Sequence, residues 1–264
     1  MGSEDILFAF VLTSIAGLST GIGSLIALMA KHTNTKFLCA ALGFSAGIML
    51  YVSFMEMMPQ AKLELESVYG EKLGTLYLII AFFAGIALIS LIDLIVPKNI
   101  NPHEIQGVED MHHKHSLKRT GLMVALSIAI HNFPEGIATF TSALGSLDVA
   151  IPITIAIAIH NIPEGIAVAV PIYHATGNRK KAFWYSFASG LAEPFGALIA
   201  YIFLIEYWTP ALNGIILSIV SGIMVFISLD ELLPSAEKYG EHHISIIGLV
   251  LGMAVMAFSL YLFI

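Results

Sequence analysis

His131-Asn-Phe-Pro-Glu-Gly-Ile-Ala138 and His160-Asn-Ile-Pro-Glu-Gly-Ile-Ala167 are two copies of one motif, identical at seven of eight positions. Each copy lies inside a long apolar stretch and places a histidine, an asparagine and a glutamate there. Ionisable side chains are rare and usually functional when the surroundings are apolar, so a motif that occurs twice in such stretches indicates a functional site.

The composition excludes a water-soluble globular protein. Of the 264 residues, 57% are hydrophobic and 12% are charged, whereas soluble domains contain about 25% charged residues. The mean hydropathy is +0.85, so the apolar surface exceeds what one core can bury. The net charge of -7 and the absence of a basic patch argue against a nucleic-acid partner. We therefore expect a lipid bilayer to surround this chain.

Eight apolar stretches divide the sequence. A helix needs about 20 residues to cross a hydrocarbon core of about 30 Å, and each stretch is near that length. A β-barrel would instead show alternating segments of about ten residues. Because lipid cannot satisfy backbone polar groups, we predict an all-α integral membrane protein with eight transmembrane helices in one domain over residues 1–264. The stretches are 6–30, 37–58, 73–96, 121–144, 149–173, 183–205, 211–233 and 244–264.

The basic residues predict the orientation of the chain. Lysine and arginine collect in cytoplasmic loops. Ten of the twelve lie in the first, third, fifth and seventh loops, and only Lys62 and Lys72 lie in even-numbered ones. We therefore predict that both termini are outside. The outer loops are acidic instead. They would concentrate cations as a vestibule, or they simply serve solubility.

The third loop, 97–118, is the one long linker. It is polar and rich in histidine, and we predict a flexible cytoplasmic segment without a fold of its own. His112, His113 and His115 are candidates for transient metal binding, and an ordinary flexible loop explains them equally well.

A second repeat links residues 47–59 (GIMLYVSFMEMMP) with 222–234 (GIMVFISLDELLP). In the predicted topology the two copies run in opposite directions across the membrane, as the two copies of the first motif do. Two such inverted pairs indicate a pseudo-two-fold axis in the membrane plane. That arrangement is typical of secondary transporters, whose binding sites lie near the midplane.

Several acidic residues have no basic partner within the predicted spans. Glu135, Glu164 and Glu193 lie deep inside them, whereas Asp93 is among those nearer the ends. A charge at a helix centre costs about 2.5–3.5 kcal/mol, and no lysine or arginine lies inside any span to offset that cost. The three deep glutamates must therefore be protonated or neutralised by a bound cation.

The spacing of each motif suits metal ligands. At 3.6 residues per turn, His131 and Glu135 stack on one helix face with Asn132 beside them, and the second motif repeats this spacing. Pro134 and Pro163 kink their helices, which is tolerable at that depth only inside protein or a cavity. Each motif thus presents an imidazole nitrogen, an amide oxygen and a carboxylate to one point.

This set of ligands narrows the choice of ion. Nitrogen and oxygen ligands without a thiolate suit Zn²⁺, Fe²⁺, Mn²⁺, Co²⁺ or Cd²⁺, and Cys39 is the only cysteine. Two imidazoles argue against Mg²⁺ and Ca²⁺, which prefer oxygen ligands only. Six or seven ligands exceed the four of one tetrahedral zinc ion, so a bridged pair of ions is plausible. The metal would be cargo rather than a catalytic cofactor.

The paired His-Asn-x-Pro-Glu-Gly motifs, the eight stretches and the third loop with its histidines resemble the ZIP family of metal transporters over essentially the whole chain. The resemblance implies uptake of zinc and related ions into the cytoplasm through a binuclear site in a 3+2+3 helix arrangement. It also implies a bacterial inner membrane, and homodimers are common in the family. The implied ligands are His131, Asn132, Glu135, His160, Asn161, Glu164 and Glu193. The implied gate or transit residues are Glu56 and Glu231, with Asp230 beside the latter.

Three alternatives to an alternating-access carrier differ in their chemistry. A metal-selective channel could use the same site, and only flux measurements separate it from a carrier. An intramembrane zinc metalloenzyme could activate water, but the chain has no His-Glu-x-x-His motif, and an inverted duplicate does not suit an asymmetric reaction. A metal sensor would need a signalling domain, which the sequence lacks. We therefore do not expect an enzyme.

Overall fold

The computed structural model describes residues 3–29, 35–95, 114–145, 147–237 and 242–262, which are helical apart from short turns and include no strand. Two π-helical segments, Ser53–Met57 and Ser228–Leu232, and one 3-10 turn, Ile205–Tyr207, connect α-helices. The predicted all-helical class is confirmed for this part of the chain. The α-helices are α1 Ser3–Met29, α2 Thr35–Val52, α3 Met58–Ile95, α4 Lys114–Gly145, α5 Leu147–Thr176, α6 Arg179–Gly190, α7 Ala192–Leu204, α8 Pro210–Ile227, α9 Leu233–Glu237 and α10 His242–Tyr261.

Six helical stretches among the described residues are long and apolar enough to cross a bilayer. One of them, 36–94, has 59 residues and contains two of the predicted spans, with a break at Gly70 between them. The predicted span over 121–144 lies within α4. The chain is therefore a multi-pass helical membrane protein. The other five stretches are 4–29, 150–170, 179–207, 210–237 and 242–261.

Gly70 divides α3 into two helices. Its φ of 78° and ψ of 163° lie outside the helical region, in a conformation that glycine adopts most readily. Thr75 Oγ1 donates a hydrogen bond to Glu66 Oε1 at 2.9 Å, although residues nine apart in one helix would be separated by about 13 Å along its axis. The chain therefore folds back at Gly70, and the helix over 71–95 runs against the helix over 58–69.

The two π-helical segments occupy matching places in the second sequence repeat. In each of them an amide five residues along donates to the first carbonyl, Met58 to Ser53 and Leu233 to Ser228. Pro59 or Pro234 comes next and has no amide hydrogen, so the widened turn precedes a proline in both copies. Such π turns often mark functional positions.

The helices form two bundles according to which of them touch. The core bundle consists of α1, α4, α5, α6 and α7, and the flanking bundle consists of α2, α3, α8, α9 and α10. The bundles meet chiefly where α2 contacts α5 and where α4 contacts α8. Both copies of the first motif therefore belong to the core bundle, and both π-helical segments belong to the flanking bundle.

Glycines set the close helix crossings of the flanking bundle. A Cβ atom added to Gly47 of α2 would overlap the carbonyl oxygen of Leu249 in α10. One added to Gly222 of α8 would overlap the carbonyl oxygen of Phe82 in α3. Gly47 and Gly222 begin the two copies of the second repeat, so the same residue makes the same kind of contact in each. Small residues allow such backbone contacts between membrane helices.

The predicted loop 97–118 is described only at its end. Helix α4 begins at Lys114, before the predicted span start at 121, so residues 114–118 are helical. Lysine, leucine and arginine favour helix, which explains the earlier start. Residues 97–113, with His112 and His113, lie outside the described residues, and His115 lies in the first turn of α4. Metal binding by these histidines stays a prediction.

We predict that Gly47→Ala destabilises the protein, because the new methyl group would force α2 away from α10. Overpacking of this kind costs about 1–3 kcal/mol, which should lower the melting temperature of the detergent-solubilised protein. Gly145→Ala is the matched control, since a Cβ there meets Asn213 Nδ2 at an ordinary 3.4 Å. Equal melting temperatures for the two variants would contradict the close crossing.

Candidate metal centre

The two copies of the first motif face each other where α4 contacts α5. His131 Nε2 lies 3.0 Å from Glu164 Oε2, and His160 Nε2 lies 3.3 Å from Glu135 Oε2. Each imidazole therefore pairs with the carboxylate of the other motif. The spacing alone predicts stacking within each helix, and pairing across the two helices is what joins the motifs into one site.

All seven predicted ligands are brought to the interior of the core bundle, and each is at most 1% exposed. The sequence contains no lysine or arginine between Arg119 and Arg179, a region that includes both motifs. The three buried carboxylates are therefore protonated, paired with a protonated histidine, or balanced by a bound cation. The seven residues are His131, Asn132, Glu135, His160, Asn161, Glu164 and Glu193.

The two asparagines use their amide groups to hold neighbouring helices. Asn132 Nδ2 donates to the carbonyl oxygen of Ser189 at 3.3 Å, and Asn161 Nδ2 donates to that of Ala16 at 3.0 Å. Asn161 Nδ2 also contacts Glu193 Oε1. Because the nitrogen of each side chain is engaged in this way, the amide oxygens are left to face the other buried side chains as acceptors.

Six buried ligand atoms at this site make no hydrogen bond. A buried polar atom without a partner is costly, and six within one cluster point to a missing electrophile. Carboxylate oxygens, amide oxygens and the free imidazole nitrogen all donate lone pairs, which is the chemistry that a borderline divalent metal requires. The atoms are Nδ1 of His131 and His160, Oδ1 of Asn132 and Asn161, Oε1 of Glu135 and Oε2 of Glu193.

The site as it stands is closed by hydrogen bonds. In the described part of the chain, no group of three or more His, Cys, Asp or Glu side chains is arranged to hold a metal ion directly. The His–Glu distances of 3.0 and 3.3 Å fit a hydrogen bond, and they are also close to the separation of about 3.3 Å between two ligands of one tetrahedral metal ion. Metal binding therefore requires that an ion displace the proton shared by imidazole and carboxylate.

Contacts around the first motif have counterparts around the second. A Cβ atom added to Gly136 would overlap the carbonyl oxygen of Glu193, and one added to Gly165 would overlap that of Thr20. At a third place Gly17 and Gly190 lie backbone to backbone, each against the carbonyl oxygen of the other. Helix α1 therefore packs against α5 through the same kind of close backbone contact that the start of α7 makes with α4.

Helix α1 is a part of the site that the sequence reasoning missed. The sequence contains the signal as a weak third repeat, Ala16-Gly-Leu-Ser-Thr20 against Ser189-Gly-Leu-Ala-Glu193, in which only Gly-Leu is identical. Ala16 and Ser189 supply the carbonyl groups that the two asparagines contact. Main-chain contacts of this kind place no demand on side-chain identity, so a motif search does not detect them.

The predicted gate residues lie in the π-helical segments. Glu231 Oε2 is 3.9 Å from His131 Nδ1, which brings this buried flanking-bundle residue next to the core-bundle site. Asp230, beside it, is exposed. Glu56 is partly buried in the first π segment. Ser45 of α2 also approaches, because its Oγ lies 3.3 Å from the carbonyl oxygen of His160 and 3.5 Å from Glu164 Oε1.

Comparison with known proteins gives the family. The family model described as ZIP Zinc transporter matches residues 97–260, which include both copies of the first motif. The chain belongs to the ZIP family. It is 58% identical to the zinc transporter ZupT of Clostridium perfringens, over 99% of this chain and 98% of that protein. It is 57% identical to the ZupT protein of Streptococcus mutans, over 99% and 100%, and 52% identical to that of Nitratidesulfovibrio vulgaris, over 98% of each.

Family membership confirms the resemblance inferred from the paired motifs. ZIP proteins are transporters, so the chain is a membrane transporter and not an enzyme. The lack of a His-Glu-x-x-His motif agrees with this. The assignment of the seven buried residues as metal ligands stays a prediction.

We predict that Glu193→Gln weakens zinc binding without destabilising the metal-free protein. The amide still offers an oxygen to Asn161, and it removes one buried charge. Each tenfold loss of affinity should reduce the stabilisation given by saturating zinc by about 1.4 kcal/mol, measured by thermal unfolding in detergent with and without the metal. Glu206→Gln, outside the site, is the control. Equal stabilisation of Glu193→Gln and wild type by zinc would exclude Glu193 as a ligand.

Proposed function

We propose that this protein takes up divalent transition-metal ions, zinc foremost, into the cytoplasm through the seven-residue site. The observation that supports this most directly is the cluster of six ligand atoms without a hydrogen bond around two His–Glu pairs. The same donor set would accept iron, manganese, cobalt or cadmium. The zinc transporters to which the chain is similar support zinc as the foremost cargo.

The number and charge of the ligands favour two ions in the site. One tetrahedral zinc ion uses four ligands, and seven side chains converge here. Glu135 and Glu164 each pair with the histidine of the other motif, so either carboxylate could bridge two metals. Two divalent ions bring four positive charges, which match four buried carboxylates: the three of the site and that of Glu231 beside His131.

We further propose eight crossings in a 3+2+3 arrangement with both termini outside, in a bacterial inner membrane. The helical break at Gly70 supports two crossings within 36–94, and the distribution of lysine and arginine supports the orientation. In this orientation Glu56 lies toward the outer end of its helix. Glu231 and Asp230 lie toward the inner end of theirs.

Alternating access between two bundles is the mechanism we propose. The ligands lie in the core bundle, and the flanking bundle touches the site through residues such as Ser45 and Glu231. An apolar groove of about 580 Å³ separates part of α4 from α8, with Phe133 on one wall and Ile223 on the other. Movement of the two bundles along this groove would open the seven-residue site to one side of the membrane at a time. Glu231 is placed to receive an ion that leaves toward the cytoplasm.

We predict that Glu135→Ala and Glu164→Ala each abolish zinc flux, because each removes a carboxylate that pairs with an imidazole of the other motif. The measurement is zinc accumulation in proteoliposomes with an internal fluorescent indicator. Glu206→Gln is the control and should transport like wild type. Sustained flux through either alanine variant, or no flux through folded wild-type protein for any of the five ions, would contradict the proposal.

A carrier and a metal-selective channel can be separated with the same preparation. For a carrier, we predict that the initial rate of zinc uptake saturates with concentration and that planar bilayers show no single-channel currents. This follows because the closed His–Glu pairs must rearrange for each ion that passes. Discrete current steps carried by zinc would instead establish the channel.

A further inference from the structure

A polar pocket lies at the boundary of the two bundles and shares no residue with the seven-ligand site. The helix over 58–69, the end of α4 and the start of α8 form it, and its volume is about 440 Å³. In the proposed orientation this outer pocket faces the side from which ions arrive. Its polar lining residues are Gln60, Glu64, Ser67 and Asn213, and Trp208 also lines it.

Glu64 is held by one of its two carboxylate oxygens. Gln60 Nε2 and Asn213 Nδ2 both donate to Glu64 Oε1, each at 2.8 Å. Glu64 Oε2 is buried and has no hydrogen-bond partner. The Oδ1 atom of Asn213, a residue that is 2% exposed, is also buried without a partner. Two acceptor atoms of residues that line the pocket are therefore buried without a hydrogen bond.

The surroundings fix this arrangement in place. Gln60 precedes Glu64 by one helical turn, and Asn213 lies in the first turn of α8, which Thr209 caps by accepting from the Leu212 amide at 3.1 Å. The nearest lysine along the helix, Lys62, lies 3.6 Å from Glu66 instead. A carboxylate clamped between two helices by amide donors, with its second oxygen unpartnered, is pre-organised to bind a cation.

The pocket also touches the core bundle. Leu144 and Gly145, the last residues of α4, line it, and a Cβ atom added to Gly145 would lie 3.4 Å from Asn213 Nδ2. The pocket is thus at the outer end of the helix that contains His131 and Glu135. An ion released from the pocket would leave it beside α4, at the bundle boundary.

We propose that the outer pocket is a second divalent-cation site, with Glu64 Oε2 and Asn213 Oδ1 as its protein ligands. Its role as the first site to bind an incoming ion rests on the function and orientation proposed above. Both ligands are oxygens, so the site suits ions that keep part of their water shell, such as Mn²⁺ or Fe²⁺, more than it suits Zn²⁺. Two protein ligands hold an ion weakly, which allows fast release.

Luminescence of Tb³⁺, an oxygen-preferring ion, tests the site in the full-length protein in detergent. Excitation of Trp208 should sensitise Tb³⁺ bound in the pocket, and Mn²⁺ should displace it. Trp208→Phe should abolish the signal, because the chain's other tryptophan, Trp184, lies in α6 and outside the pocket lining. Glu64→Gln keeps the side-chain shape and should weaken binding by about tenfold or more.

Two controls make the result specific. Glu66→Gln, two residues along the same helix, and Glu164→Ala, in the central site, should both bind Tb³⁺ like wild type. A melting temperature of metal-free Glu64→Gln equal to that of wild type would exclude a folding defect in this variant. Sensitised binding that survives Glu64→Gln, or that falls equally in Glu66→Gln, would overturn the site.

Transport measurements test the role of the pocket separately from its existence. At the outer pocket, Glu64→Gln should raise the KM for Mn²⁺ uptake several-fold and leave the maximal rate unchanged. Loss of the maximal rate would instead make Glu64 a structural residue and overturn the capture role. If wild type transports no ion, the proposed function fails, and the Tb³⁺ experiment still decides whether the pocket binds a cation.

Discussion

The rest of the structure depends on three carboxylates that are buried beside two imidazoles in a membrane protein. The sequence has no lysine or arginine between residues 120 and 178. An unpaired charge at that depth raises the free energy of the folded protein, so Glu135 and Glu164 each need a partner that balances their charge. The pairs with His160 and His131 provide a state in which protons balance part of the charge. In the proposed function, a bound metal ion provides the other balanced state, so that cargo would bind and leave without exposing an unpaired buried charge.

The packing of the core bundle keeps these groups in register. Gly136 and Gly165 bring α7 and α1 against α4 and α5 at backbone distance, and the asparagine next to each histidine ties its helix to a neighbouring carbonyl group. The ligands therefore depend on contacts within one bundle. Glu231, which belongs to the flanking bundle, approaches His131 from outside that framework. In the proposed mechanism, the bundles move relative to each other and change access to the site while the ligands keep their mutual geometry.

Much of this site could be predicted from the sequence, because ligand chemistry leaves few residue choices. His131, Glu135 and their duplicates stand out as ionisable residues in apolar stretches. Glu193 is detectable for the same reason. Pairing between the motifs could not be predicted, since it depends on how α4 and α5 are placed against each other. The contribution of α1 to the site could not be predicted, because its contacts are made by main-chain carbonyls and glycines.

The fold, too, could be predicted from the sequence only in part. Apolar stretches and prolines predict membrane helices, and the matched Ser-x-x-Glu-x-x-Pro patterns align the two copies of the second repeat. The widened turns at Ser53 and Ser228 follow from a proline lacking an amide hydrogen, yet a kink or a bend would have satisfied the same constraint. Gly70 is one of 22 glycines, and its backbone conformation and the nearby Thr75–Glu66 contact, which the sequence does not reveal, mark it as the point where the chain reverses.

The symmetry of the contacts makes one difference between the halves informative. Glu193 contacts Asn161, and the residue in the equivalent place on α1 is Thr20, whose buried hydroxyl has no hydrogen-bond partner. The Asn161 side of the site therefore has the carboxylate of Glu193 from the core bundle, whereas the His131 side has that of Glu231 from the flanking bundle. Two ions in this site would not be equivalent, because their additional carboxylates belong to different bundles. In the proposed mechanism, movement of the flanking bundle would change the surroundings of the ion beside His131 more than those of the ion beside Asn161.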